Sequence, residues 1–257
     1  MNLNESATQT IWRTIAQRSS NIAQQLYQAI LVFCKAKRKV RKRSAEMSLV
    51  RRVQCNLTVV SILARLSYKK DSLYLKFPVG LLLRSCLMDT IYALYLHDMK
   101  AKEAEEEIEV LNKDYVKSLE GRFDVYKDKV SNIGLPEEEI KNFYDLGFED
   151  TFIHYLTYEL DGEKLKTNAV KSKDFRTLHK SWPENITIAG MVEYVKTKPK
   201  QVDIVNRLNA YYKYFSQYEH FSEQGYGDIL VPFGDDNASF PSAIDALEAG
   251  LKVIVKI

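Results

Sequence analysis

The opening 77 residues contain neither glycine nor proline; the first of either is Pro78. So long a stretch without the two strongest backbone punctuators leaves helix as the regular structure that fits it. The apolar spacing agrees. Ile11, Ile15, Ile22, Leu26, Ile30 and Phe33 recur at steps of three, four and seven and predict a helix over about 8–38. Ser44 can cap a second, which carries Met47, Val50, Val53, Leu57, Val60 and Leu63 to about Leu66. The two make a helical hairpin over residues 1–70, whose tip is the run KAKRKVRKRS.

Residues 71–257 read as a helical bundle core with a C-terminal helix, separate from the hairpin or continuous with it. Pro78 suits the first turn of a third helix, VGLLLRSCLMDTIYALYLHDM, which is apolar on nearly all sides and so belongs at the centre. After it comes an acidic helix with Ala104, Ile108, Leu111, Tyr115 and Leu119 on one stripe and its glutamates facing water. Gly134 and Pro136 end that helix, PEEEIKNFYDLG begins another with acids in its first turn, and from about Asp161 to Pro183 the pattern fades into a long connecting loop or a short irregular pair. Thr187 caps IAGMVEYV, Pro199 opens a helix over 200–222 striped by Ile204, Leu208, Tyr211 and Phe215, and FPSAIDALEAGLKVIVK forms the last. No segment alternates as a strand does, so the fold class is all-α, a bundle of about seven to nine helices.

An apolar fraction of 46%, with 16 Tyr and 11 Phe, supplies a core and excludes a globally disordered chain. Cys34, Cys55 and Cys86 are odd in number and lack C-x-x-C spacing, which argues against a disulfide framework or a zinc knuckle. Reduced, mostly buried thiols in a cytoplasmic protein are expected. The polar N-terminus holds no signal-type apolar region, and AILVF is too short to span a bilayer, so no transmembrane segment is expected. His97, His154, His179 and His220 show no H-x-x-x-H spacing, and Asp150 with His154 is an isolated pair, so neither metal nor cofactor is expected.

The charge is lopsided. Residues 1–70 hold 14 Lys or Arg against Glu5 and Glu46, while the remainder holds 23 against 32 acids. Seven of those cations, Lys35, Lys37, Arg38, Lys39, Arg41, Lys42 and Arg43, lie at the hairpin tip and could neutralise phosphates of a nucleic acid. No aromatic residue interleaves with them, so single-strand stacking is not indicated. The same charge could meet the acidic 103–109 face of this or a second molecule, giving a homo-oligomer, or an acidic protein partner, or an anionic membrane surface.

Two features could carry chemistry. In AYYKYFSQYEHF, Tyr212, Ser216 and His220 fall in one row at four-residue steps beside the apolar stripe. Arg84 interrupts the most apolar helix and requires polar partners, for which the hydroxyls of that row are suited. Asp89 lies about 140° away around the same helix and answers to some other residue. A Ser–His pair also needs an oxyanion site, which the sequence does not supply, so the row reads first as structural, then as ligand-contacting, and last as nucleophilic.

The stretches PVGLLLRSCLMDTIYALYL, WPENITIAGMVEY and YYKYFSQYEH resemble a group of uncharacterised bacterial all-helical proteins with an early Arg-Ser helix and a late Tyr-x3-Ser-x3-His helix. The likeness runs over roughly residues 56–222 and leaves out the basic hairpin. It implies a helical fold and marks Arg84, Tyr212, Ser216 and His220, with no activity attached. Where that group commonly has Glu four residues after the Arg, this chain has Met88, with Asp89 one place later. A more distant similarity is to the HEPN helical domains of bacterial toxins and defence systems, whose ribonucleases place Arg four to six residues before His. Here Arg207 precedes His220 by thirteen and Arg176 precedes His179 by three, so the strict motif is absent. The expected function is a nucleic-acid-associated or defence-type binding protein without demonstrated catalysis, the question of an enzyme activity staying open. The alternatives are a protein interaction module working through its basic and acidic faces and, last, a nuclease or hydrolase using His220.

Overall fold

The structure is a computed structural model that describes residues 6–35, 41–70, 75–104, 107–108, 158–161, 164–167, 187–218 and 238–255. The fold is all-α. The described helices are α1 (Ala7–Lys35), α2 (Arg41–Lys70), α3 (Lys76–Asp98), α4 (Ile188–Lys196), α5 (Val202–Ser216) and α6 (Ser239–Val255); a 3-10 turn at Pro199–Gln201 links α4 to α5, and residues 101–104 are helical.

The chain divides into two compact units, one made of residues 1–105 with 186–257 and the other of 106–185. The hairpin thus belongs with the bundle, and the division does not fall at residue 70. The physical reason is α3. Its apolar groups lie on all sides, and it packs at once against α2, α4, α5 and α6. Helix α6 in turn packs against α1, α3 and α5 and ties the hairpin to the rest. Gly250 permits that closeness: a Cβ there would lie 2.8 Å from Thr90 Cγ2 and 3.1 Å from Leu208 Cδ1. Among the described residues α3 alone is long and apolar enough to cross a membrane, and most of it is buried against other helices.

Helices α1 and α2 run antiparallel. Trp12, Ile15, Ile22 and Leu26 are buried with Val50, Val53, Leu57 and Val60, and the Ser61 hydroxyl donates to the Ala16 carbonyl at 3.0 Å. Helix α2 begins at Arg41, ahead of the expected cap. Ser44 lies inside the helix, where its carbonyl accepts from the Ser48 hydroxyl. Thr187 does cap α4, its side chain accepting from Gly190 N at 3.1 Å. In α5 the buried stripe is Val205, Leu208 and Phe215, with Ile204 and Tyr211 only half-buried.

In the second unit the expected loop gives way to a short β-hairpin at its start. Strands β1 (Tyr158–Asp161) and β2 (Lys164–Thr167) pair antiparallel, Tyr158 opposite Thr167 and Asp161 opposite Lys164. The two residues between them are Gly-Glu, a glycine-first composition that favours direct strand pairing. The expected acidic helix beyond 108 lies outside the described residues.

Candidate functional site

Arg84 is carried by α3 on the face turned to α5, one turn beyond Gly80. A Cβ on Gly80 would come within 3.0 Å of the Tyr218 ring, so the glycine lets the end of α5 lie directly on α3. Tyr218 belongs to an aromatic cluster with Phe77, Phe215 and Phe240, in which the Phe215 and Phe240 rings stand edge to face at 5.0 Å. At the margin of this cluster the guanidinium meets the polar row. Arg84 Nε donates to Ser216 Oγ at 3.2 Å and an Arg84 terminal nitrogen donates to the Tyr212 hydroxyl at 3.4 Å. The guanidinium carbon also lies 5.2 Å from the Tyr212 ring centroid, within cation–π range.

The structure therefore brings together Arg84, Tyr212 and Ser216. His220 lies outside the described residues. The chemistry of Ser216 follows from its two bonds. Its O–H donates to the Tyr212 carbonyl at 2.7 Å, one turn back on its own helix, while its oxygen accepts from Arg84. A serine nucleophile needs its proton directed at a base. Here that proton is committed to the backbone. The arrangement anchors α5 to α3 through a half-buried cation. Replacing Arg84 with Met is expected to cost about 1–3 kcal/mol, read from the denaturant midpoint, since it strips two hydroxyls of their donor at the edge of the core. A change within error would show that water serves them equally well.

The basic tip does not act as one group. Lys37, Arg38, Lys39 and the side chain of Arg41 lie outside the described residues, and Lys35 is exposed at the end of α1. Lys42 and Arg43 point inward. Lys42 Nζ donates to the carbonyls of His97, at 2.7 Å, and Met99, which closes the C-terminal end of α3. Arg43 donates to the Ile254 carbonyl at 2.9 Å, at the end of α6, and to Glu46 at 2.6 Å. Carbonyls left over at helix ends, and the negative pole of the helix dipole, are natural partners for such cations. Glu46 is 2% exposed and lies among them, with Lys42 Nζ at 4.0 Å and His97 Nδ1 at 3.7 Å. Burial pushes its carboxyl up, but the hydrogen bonds and charges of His97 and Arg43 together outweigh this and hold it below the usual carboxylate range.

A third polar cluster, between α2 and α3, supplies the partner of Asp89. It is Arg52, with Nε 3.2 Å from Oδ2, and Asp89 is itself 1% exposed. Asn56 donates to Ser85 Oγ at 3.2 Å on the same face. Burial raises the Asp89 carboxyl to about 6 despite the opposing pull of Arg52. Burial, and then the Asp89 charge, push the neighbouring Cys86 thiol up. The signal for this pair was a lone carboxylate in an apolar helix, but its partner sits 37 positions earlier on a helix that holds several arginines. The expectation of mostly buried thiols is corrected: Cys86 is buried, whereas Cys34 and Cys55 are exposed.

No protein-family model matches the chain, no curated protein matches it in sequence, and no solved structure matches its fold.

Proposed function

We propose that the protein binds an anionic polymer, a nucleic acid, through the outer surface of the α1–α2 hairpin. One observation carries this reading. Glu46 is the only acid among the described residues of 6–70, and it is buried and bonded internally. Every exposed charge described on the hairpin is consequently positive: Arg13, Arg18, Lys35, Arg51, Arg52, Arg65 and Lys69. Arg18 lies beside Asp245 and Arg52 beside Asp89. A surface of one sign attracts polyanions at long range, and phosphate contacts make the affinity fall as salt rises. Ser216 is not proposed as a nucleophile, because its proton is engaged by the backbone.

The test is binding of labelled duplex RNA or DNA across a salt series. Joint replacement of Lys35, Lys37, Arg38, Lys39 and Arg41 with Gln spares Lys42 and Arg43, which hold helix ends. The variant is expected to bind more weakly and to show a shallower salt dependence, by about 0.9 in log–log slope for each phosphate of B-form DNA that the tip no longer neutralises. Unchanged affinity would move the site away from the tip. No binding at low salt would reject the reading.

A further inference from the structure

We propose that the outward face of α2 is a seam for an acidic amphipathic helix of another protein. Helix α2 carries two rows at alternating steps of three and four residues. The inner row is Val50, Val53, Leu57, Val60, Ala64 and Ser67, and all six are buried. The outer row is Arg52, Cys55, Val59, Ile62, Leu66 and Lys69, and all six are exposed. An average step of 3.5 residues is the repeat with which two helices mesh side chains along their length. The inner row meets the bundle. The outer row has the same period and an apolar centre: Val59, Ile62 and Leu66 are 42%, 53% and 43% exposed. Single exposed apolar residues are ordinary on a protein surface, but three in helical register make a stripe.

A shallow groove runs beside the stripe between α1 and α2, with a volume of about 350 Å³ and Tyr27 and Ile62 on its walls. Tyr27 is 48% exposed, so the groove offers a partner helix an aromatic contact from α1 as well. From Arg52 to Lys69 the row spans about 26 Å at 1.5 Å per residue, the length of a helix of roughly five turns.

Charge selects the occupant. Arg52 and Lys69 end the row, Arg51 and Arg65 flank it, and the described hairpin exposes no acid. A second copy of the same seam would pair antiparallel with Val59 against Ile62, which fits, but it brings the cations of two hairpins together, Lys69 beside the Asp89-bound Arg52 at each end, with no exposed acid on the described hairpin to offset them. A helix with Leu or Ile at its own 3.5-residue positions and Glu on either side satisfies both the apolar centre and the basic border. The seam shares Arg51, Arg52, Arg65 and Lys69 with the surface of the polyanion reading, but its apolar centre, Val59, Ile62 and Leu66, plays no part in that reading, so Ile62→Asp separates the two.

The experiment uses the full chain and two synthetic three-heptad peptides with Leu and Ile at the core positions, one flanked by Glu and one by Lys. Binding is read by fluorescence anisotropy, and circular dichroism checks that the variants fold. The Glu-flanked peptide should bind and the Lys-flanked peptide should not. Ile62→Asp, a change at an exposed position, should weaken the Glu-flanked peptide at least about tenfold, and R51Q with R65Q should weaken it in a salt-sensitive way. Failure of the Glu-flanked peptide to bind, or equal binding by Ile62→Asp, would overturn the proposal. So would a dimer of the chain that Ile62→Asp dissociates, which would give the seam to a second copy, or RNA binding abolished in the same variant, which would give it to nucleic acid.

Discussion

Replacing Glu46 with alanine is expected to lower folding stability at pH 7 by about 3 kcal/mol, measured by chemical denaturation. The carboxylate is buried and is shared by Arg43, Lys42 and His97 at the place where the ends of α3 and α6 approach the start of α2. Removing it leaves cations gathered without their common anion. The loss should depend on pH in a definite sense. Glu46 is held below its ordinary value of 4.5, so the folded chain binds that proton less readily than the unfolded chain. Its contribution is complete above the ordinary carboxylate range and disappears as pH falls through the lowered value. Parent and variant should therefore converge in acid. A difference below about 1 kcal/mol at pH 7 would mean that water serves the cations as well as Glu46 does.

Asp89 should behave in the opposite way. Its folded value of about 6 lies above the ordinary 3.8, so the folded chain holds the proton more tightly. As pH rises from about 4 to about 6, the unfolded chain releases that proton first and stability falls. Above that window the whole loss is present. Asp89→Asn, which mimics the protonated acid, is expected to stabilise the protein by about 1–3 kcal/mol at pH 7 and to leave it unchanged below about pH 4. Arg52→Ala should do the reverse at pH 7, since it leaves a buried carboxylate without its cation. Thermal unfolding across this pH range for the two variants decides the matter. A stability gap that does not vary with pH would show that Asp89 does not titrate there.

The parts of this fold legible in the sequence were those set by apolar pattern. The helical period in α1 and α2, and the all-round apolarity that makes α3 central, depend on local spacing and survive into the structure. Arg84 was legible as a residue that needs partners, and the polar row beside the stripe of α5 was the nearest supply. Glu46 with Lys42 and Arg43 was not. The cations looked like part of a solvated tip, and nothing local says that their partners lie at His97 and Ile254, far along the chain. The outer row of α2 is hidden in the sequence because the inner row already accounts for the helix, and a second stripe becomes visible only once burial separates them. The strands of the second unit are four residues long, too short for alternation to register.

The first compact unit is discontinuous, made of residues up to 105 and from 186 onward. During synthesis the hairpin and α3 emerge first, yet the faces of α3 that α5 and α6 cover have no partner until residues 202–255 follow. At about 5–20 residues per second the wait is on the order of ten seconds, far longer than helices take to form. For that interval the faces of the most apolar helix that α5 and α6 will cover stay open to wrong contacts.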